Sequence, residues 1–236
     1  MQAVILAGGK GTRLKPYTTV FPKPLMPIDN YPILEIVIKQ LKYYGFNNIV
    51  MAVGYLKELL HAFFNDGKKW NVNISYSVEE KPIGTAAPLK LVKRLQDNFL
   101  VMNGDILTNL DYDEFFKYHK NSGSLCTIAM YKKKVKIDLG VLKTNKNNKL
   151  YDYIEKPTLD YNVSMGVYAF KKEVLNYIPE NEYFDFPNLI KKLLKNNKKV
   201  LGYPFSGYWL DIGRPDDYET AIKEFEKYKS EFLKEI

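Results

Sequence analysis

The sequence predicts an α/β fold, a mostly parallel mixed sheet with helices on both faces, on three observations. Short apolar runs alternate with segments of helical periodicity through the first half of the chain, the pattern of a parallel sheet covered on both sides. The first apolar run, Ala3 to Ala7, stops abruptly in the glycine-rich stretch Gly8-Gly9-Lys10-Gly11. Another, Phe99 to Met102, stops at Asn103-Gly104-Asp105. Strands that end in glycine and aspartate place turn residues where open α/β sheets bind ligands, beyond the carboxyl ends of the strands.

Taken in order, Ala3–Ala7 reads as a buried strand. Gly8, Gly9 and Gly11 let the backbone turn sharply and approach a ligand closely, and successive exposed N–H groups in such a turn suit phosphate oxygens. Lys10, Arg13, Lys15 and Lys23 follow, and Pro22, Pro24 and Pro27 stiffen the segment that carries Lys23. Leu34, Val37, Ile38 and Leu41 have helical spacing, with Gly45 at the place of a C-terminal cap. Ile49–Val53 reads as the second strand, Leu56 to Phe63 as a helix, and Val72 to Val78 as an alternating strand. Thr85 to Leu95 reads as a helix with Pro88 in its first turn.

The second half has shorter strands. A helix is expected over Tyr112–Tyr118, strands near Leu125–Tyr131, Gly140–Lys143, Leu150–Ile154 and Val163–Phe170, and helices near Lys172–Tyr177 and Pro187–Lys195. Val200–Pro204 returns as strand, and Pro215 opens a charged helix expected to run to the end of the chain. No linker, repeat or low-complexity tract interrupts the sequence, so a single domain is expected over 1–236. It divides into halves of about 1–110 and about 111–236, the second of which includes the C-terminal helix and is expected to form the other side of a cleft.

Composition narrows the function. The 236 residues are 46% hydrophobic and 26% charged, ordinary for a globular protein. No apolar stretch is long enough for a transmembrane helix, and the N-terminus lacks a signal-peptide pattern, so no membrane association and a cytoplasmic location are expected. Cys126 is the single cysteine, which excludes an internal disulfide and a cysteine metal cluster. The net charge of +8 comes mostly from scattered lysines. The densest run, Lys132 to Lys136, reads as an exposed turn between strands, and no recognition helix or stacking pattern points to nucleic acid. No stretch fits the Walker A pattern. The loop lacks the third glycine of a dinucleotide fingerprint, and no carboxylate ends the second strand for a ribose, which argues against a nicotinamide-dependent oxidoreductase.

Leu6-Ala-Gly-Gly-x-Gly-Thr-Arg-Leu14, followed by Pro22-Lys23-Pro24-Leu-x-Pro27, resembles the sugar-1-phosphate nucleotidylyltransferases, most closely the mannose- and heptose-type guanylyltransferases. The resemblance implies a Rossmann-like single-domain nucleotidyltransferase fold. It implies Mg²⁺-dependent transfer of a nucleoside monophosphate from an NTP to a sugar 1-phosphate with release of pyrophosphate. It makes Arg13, Lys23, Asp105 and Asp211 the catalytic set, with Asp105 and Asp211 as Mg²⁺ ligands. Leu6, Ala7, Gly8, Gly9, Gly11, Thr12, Arg13, Lys23, Glu79, Gly84, Thr85 and Gly104 become the nucleotide-binding residues. Gly140, Glu155-Lys156-Pro157 and Ser164-Met165-Gly166 resemble the sugar-phosphate motifs, giving Gly140, Glu155, Lys156 and Gly166 as acceptor-binding residues. Leu139 stands where an aromatic is common, and Ser164 where the family has asparagine. Many family members carry an added β-helix, acyltransferase or CBS domain, for which this sequence offers no segment. A homodimer is compatible with the resemblance.

Glu79 bears on the base. Thymidylyl- and uridylyltransferases commonly have glutamine five residues before the glycine equivalent to Gly84. A carboxylate there accepts from both N1–H and the exocyclic amine of guanine, whereas uracil offers one N–H flanked by carbonyls. The sequence therefore favours GTP, with CTP, UTP, dTTP or a non-sugar acceptor as alternatives, and a catalytically silent nucleotide-sugar-binding subunit as the reading from another class. His61 and His119 lie away from every motif and are expected to be non-catalytic. Trp209 is expected to support Asp211, and Asp216 and Asp217 to serve the positive end of the last helix.

Overall fold

The central strands read as near-continuous apolar runs because both faces of the sheet are buried. The structure, a computed structural model, describes residues 1–234. In chain order the elements begin with β1 (Gln2–Ala7), β2 (Pro27–Ile28), β3 (Tyr31–Pro32), α1 (Ile33–Tyr43), β4 (Asn48–Val53), α2 (Lys57–Phe64), β5 (Asn73–Val78), β6 (Asn98–Asn103) and β7 (Ile106–Thr108). They continue with α3 (Tyr112–Ser122), β8 (Cys126–Lys136), β9 (Val141–Thr144), β10 (Leu150–Ile154), β11 (Thr158–Lys171), α4 (Phe186–Lys195), β12 (Val200–Phe205), β13 (Trp209–Asp211) and α5 (Pro215–Phe232). None of the described helices is long and apolar enough to cross a membrane.

The main sheet has the order β12-β8-β11-β6-β1-β4-β5. β11 pairs antiparallel with both of its neighbours, and every other adjacent pair is parallel. From β1 the chain moves outward to β4 and β5, then returns to β6 on the other side of β1. That reversal makes the carboxyl end of β1 a topological switch point, where such sheets open a crevice.

Alternate residues of the strands feed two cores. Ile5, Met51, Leu100 and Met102 face Leu34, Val37, Ile38 and Leu41 of α1, with Leu60 of α2 and Phe115 of α3. Val4, Val50, Phe99 and Val101 face Leu189 and Leu193 of α4. A third cluster joins the outer side of α1 (Ile33, Ile36) to Ala221 and Phe225 of α5, and takes in Leu14, Met26, Ile28, Leu107 and Ile212. These five residues lie next to Arg13, Lys23, Asp105 and Asp211 in the chain, so the α5 layer fixes the segments that carry them.

The structure departs from the sequence reading in four places. Thr85–Leu95 is not an α-helix: only Ala87–Leu91 turns, as a 3-10 helix. The Gln2 side chain engages the segment beyond that turn. Its amide donates to the Arg94 carbonyl (2.8 Å) and accepts from the Gln96 N–H (2.7 Å), using backbone groups of Arg94 and Gln96. Lys132–Lys136 is not a turn but the end of β8, paired with the start of β11 from Lys132↔Asn162 to Lys136↔Thr158. It buries no side chain, so the lysines hide its alternation. The last helix ends at Phe232, and the final two residues lie outside the described ones. α3 runs on to Ser122, with the Asp111 side chain accepting from the Glu114 N–H (2.8 Å) and Gly123 left-handed at its end.

Candidate active site

The glycine loop leaves β1 at the switch point. Gly8 carbonyl accepts from Tyr55 N–H (3.2 Å), which ties the loop to the end of β4. Gly11 is left-handed (φ +59°), and a Cβ there would come within 2.9 Å of Thr18, whose hydroxyl donates to the Gly11 carbonyl (2.8 Å). Thr12–Leu14 then forms a 3-10 turn with Leu14 fully buried. Leu14 acts as the anchor, and Arg13 beside it is exposed. The Arg13 guanidinium lies against Gly213, where a Cβ would sit 3.2 Å from it, and no carboxylate pairs with it among the described residues.

Lys23 is the buried cation of the set, 8% exposed, and it forms an ion pair with Asp105 Oδ2. Asp105 follows β6, where Gly104 N–H donates to the Leu6 carbonyl (3.0 Å) and locks the turn to β1. Asp105 carbonyl accepts from Ile212 N–H (3.1 Å), and Asp211 lies opposite Ile106 in the β7–β13 pair. The two carboxylates are thus neighbours. Burial pushes the Asp211 pKa up, and the Asp105 charge raises it further, while Lys23 and Arg13 act in the opposite direction. Asp105 Oδ1 is buried with no hydrogen-bond partner. The Trp209 indole donates to the Met165 carbonyl (3.0 Å), tying the strand of Asp211 to the turn of Gly166.

Glu79 leaves the end of β5 and lies over the loop. A Cβ on Gly8 would meet its Oε1 at 2.5 Å, and one on Gly54 at 2.9 Å. Its Oε2 accepts weakly from Ile83 N–H (3.4 Å), and burial raises its pKa. Gly84 is left-handed (φ +97°) and faces Phe184, whose carbonyl oxygen would be 2.5 Å from a Cβ. These parts enclose one cavity of about 620 Å³, lined by Leu6 through Arg13, Lys23, Glu79, Gly84, Thr85, Gly104 and Asp105.

The residues expected to bind the acceptor are built differently. Glu155 and Lys156 are exposed, 3.9 Å apart, with Lys156 left-handed (φ +45°) after β10. The Tyr153 hydroxyl donates to Glu155 (2.7 Å) and covers Gly140, whose added Cβ would meet it at 2.2 Å. These three residues stand outside the lining of the cavity. Gly166 (φ +74°) packs on the Asn103 amide, which does line it.

Two lining residues went unread in the sequence. Asp185 Oδ1 accepts from the Thr85 N–H (2.9 Å) and the Thr85 hydroxyl (3.0 Å), and Tyr183 stands on the cavity rim. The Asp-Phe-Pro signal at 185–187 is a helix start, and nothing local says which distant segment it meets. Both histidines fall away from the cavity. His61 stacks on Tyr76, and His119 is buried with Nδ1 beside the Thr127 hydroxyl (2.9 Å). Cys126 is a buried strand residue.

A glycine loop at the switch point, two neighbouring carboxylates and a buried, paired lysine define a phosphate-handling α/β protein. The sequence matches the nucleotidyl transferase family over residues 2–228, and the chain belongs to that family. It is 34% identical to UTP–glucose-1-phosphate uridylyltransferase of Synechocystis over 94% of this chain and 63% of the relative. It is 32% identical to mannose-1-phosphate guanyltransferase of Schizosaccharomyces pombe, over 99% of this chain and 68% of the relative. It is 32% identical to D-glycero-α-D-manno-heptose 1-phosphate guanylyltransferase of Aneurinibacillus thermoaerophilus, over 97% of this chain and all of the relative. The chain therefore spans under two thirds of the Synechocystis protein and the full length of the heptose enzyme. Among solved structures it is similar to a glucose-1-phosphate thymidylyltransferase from Bacillus anthracis (TM-score 0.75, 25% identity, 94% of each chain). It is also similar to HddC from Yersinia pseudotuberculosis (TM-score 0.73, 26% identity, 95% of this chain and 99% of that one).

Proposed function

We propose that the chain transfers a nucleoside monophosphate, with GTP as the favoured donor, to a sugar 1-phosphate. The observation that carries this reading is the constellation on one cavity: the glycine loop, the exposed Arg13, and the Lys23–Asp105 pair beside Asp211. An acceptor phosphate oxygen attacks the α-phosphorus in line. The bond from the α-phosphorus to the bridging oxygen breaks, and its electron pair leaves with pyrophosphate. The nucleophile is already anionic near pH 7, so no general base is required, in keeping with both histidines lying away from the cavity. The barrier lies in bringing anions together, so positioning and electrostatic stabilisation supply the catalysis.

In this reading the N–H groups of the 8–12 loop cradle the phosphates, and Arg13, which forms no ion pair among the described residues, takes the charge that grows on pyrophosphate. Lys23 serves the α-phosphate region. The donor set fits Mg²⁺: two carboxylates of hard oxygen, one of which keeps a buried, unpartnered Oδ1 on Asp105. Mg²⁺ bound there supplies charge neutralisation at the reacting phosphates. Lys156 holds the acceptor phosphate, Glu155 a sugar hydroxyl, and Gly140 and Gly166 admit the sugar close to the backbone.

Glu79 supports guanine. Its half-buried carboxylate lies on Gly8 and Gly54 at the mouth of the cavity, where a base edge with two donors would satisfy it. The guanylyltransferase relatives agree with this choice and the uridylyltransferase relative does not. Pyrophosphate release tests the reading, with GTP, CTP, UTP, dTTP and ATP crossed against mannose, glucose, glucosamine and heptose 1-phosphates. Release with GTP and one sugar is expected. Release with another NTP removes the role given to Glu79, and no release with any pair favours a nucleotide-sugar-binding subunit.

A further inference from the structure

We infer that Asp185 and Thr85 form a reciprocal latch that sets the nucleobase wall of the cavity, making Asp185 a positioning residue for the nucleotide donor. This inference rests on the nucleotidyl-transfer reading above.

An aspartate directly before Phe-Pro at a helix start ordinarily caps its own helix. Asp185 does not: α4 begins at Phe186 and has no hydrogen bond from the side chain of its N-cap residue. The carboxylate instead reaches a residue 100 positions earlier and accepts both the N–H and the hydroxyl of Thr85. In exchange, the Thr85 hydroxyl oxygen accepts from the Phe186 N–H (3.0 Å), the first N–H of α4. Each segment thus satisfies the backbone donor that the other leaves free, an arrangement that a capping box makes within one helix.

The surrounding backbone repeats the exchange. Phe184 N–H donates to the Ile83 carbonyl (2.8 Å), and the Phe184 carbonyl accepts from Ala86 N–H (2.9 Å) and Ala87 N–H (3.1 Å). Between them sits Gly84, left-handed and too close to Phe184 to carry a side chain. The 83–87 segment has little support of its own, since its helical content is a single 3-10 turn. The bonds to 184–186, together with Ala86 and Ala87 buried in the second core, hold its shape. Glu79, Gly84 and Thr85 share the cavity lining with Asp185 and with Tyr183, which is 63% exposed. The Tyr183 hydroxyl neighbours the same carboxylate, which raises its pKa.

The latch also accounts for the role of Thr85. With its N–H and hydroxyl both engaged by Asp185, Thr85 shapes the wall instead of donating to the base from those groups. Gly84, whose backbone adopts its conformation under Phe184, is left as the close-approach residue. The acceptor motifs at 140 and 155–156 make none of these bonds, so loosening the latch separates donor binding from acceptor binding.

The test uses the full chain carrying Asp185→Ala, Asp185→Asn or Thr85→Val, with two readouts. Amide hydrogen exchange without ligand reads the latch directly. Protection over 83–87 falls about tenfold or more in Asp185→Ala, as expected for loss of a charged hydrogen bond, and stays near wild type in Asp185→Asn, which keeps the accepting Oδ1. Steady-state kinetics with GTP and mannose 1-phosphate, or the pair that the wild type turns over, reads function. KM for the nucleotide rises about tenfold in Asp185→Ala and in Thr85→Val, KM for the sugar 1-phosphate stays within about twofold, and Asp185→Asn recovers most of the nucleotide affinity. Equal rises in both KM values, or an unchanged nucleotide KM, overturn the latch as a donor-positioning device. A wild type that turns over no pair overturns the proposed activity instead. The latch is then judged on exchange, where unchanged protection in Asp185→Ala overturns it.

Discussion

The wall of the nucleotide cavity and the arm that carries the acceptor motifs are held by opposite means. Around the cavity several segments are tied to others distant in sequence: Gly104 to Leu6, Ile212 to Asp105, Lys23 to Asp105, and Thr85 to Asp185. Leu14, Met26, Ile28, Leu107 and Ile212 anchor those segments in a core shared with α5. Residues 132–162 contain no buried side chain. They form a two-stranded β8–β11 ribbon and a β9–β10 hairpin, held by ladder bonds and surface pairs such as Lys132–Asp160 (2.9 Å) and Lys143–Asp152 (2.8 Å). Exposed pairs of this kind contribute little. The difference teaches that, under the proposed function, donor geometry is built into the folded core, whereas acceptor geometry rests on a thin, exposed layer. Substitutions near the cavity should therefore disturb donor use, and stability where they break its packing, and substitutions in the arm should disturb acceptor use alone.

The sharpest break of this comparison is Asp105→Asn. Asparagine leaves Lys23 an oxygen partner but removes the charge placed beside Asp211. Turnover should fall by about 10³-fold with circular dichroism unchanged, and near-normal turnover would remove Asp105 from the metal site. Lys156→Ala should raise KM for the sugar 1-phosphate by about tenfold or more, with a nucleotide KM close to wild type and a denaturation midpoint shifted by under about 0.5 kcal/mol. A comparable rise in the nucleotide KM would show that the two regions are coupled.

A pair of glycines sharpens the contrast in stability. Gly84→Ala forces a side chain into left-handed backbone 2.5 Å from the Phe184 carbonyl, which cannot move aside, and should cost at least about 2 kcal/mol. Gly140→Ala meets the exposed Tyr153 ring, which can rotate away, and should cost under about 1 kcal/mol. Urea denaturation of both variants checks the order.

A further expected effect concerns pH. Burial, together with the Lys171 charge, lowers the His119 pKa to about 4. The unfolded chain then binds a proton that the folded one refuses between about pH 6.5 and that value. Stability from this group is intact above about pH 6.5 and declines as pH falls toward 4, by an upper bound of about 3 kcal/mol. In His119→Gln the fall in melting temperature between pH 7 and pH 5 should shrink, and an unchanged fall would place the acid sensitivity elsewhere.

Much of the cavity was legible in the sequence because its chemistry is local. The glycines that end β1, the prolines around Lys23, and Asn103-Gly104-Asp105 at the end of β6 are contiguous signals. The partner of Lys23 was not legible, because it depends on the β1–β6 pairing that brings residue 105 beside residue 23. The latch was hidden for the same reason: Asp185 carries the signature of a helix cap and uses its side chain elsewhere. Gln2, whose side chain takes up the Arg94 carbonyl and the Gln96 N–H, looks like an ordinary residue at the start of a strand. In the arm, the period of two is masked because Lys132, Lys134 and Lys136 alternate with Lys133 and Val135, and with no burial neither face needs to be apolar.

The base choice by Glu79 is the most direct measurement of a donor site formed by the core and separate from the arm. The ratio of kcat/KM for GTP to that for UTP, at a fixed concentration of the preferred sugar 1-phosphate, should favour GTP by about a hundredfold or more in the wild type. It should move strongly toward UTP in Glu79→Gln, with KM for the sugar 1-phosphate unchanged. A wild type indifferent to the base, or a Glu79→Gln variant that keeps its GTP preference, would contradict the account.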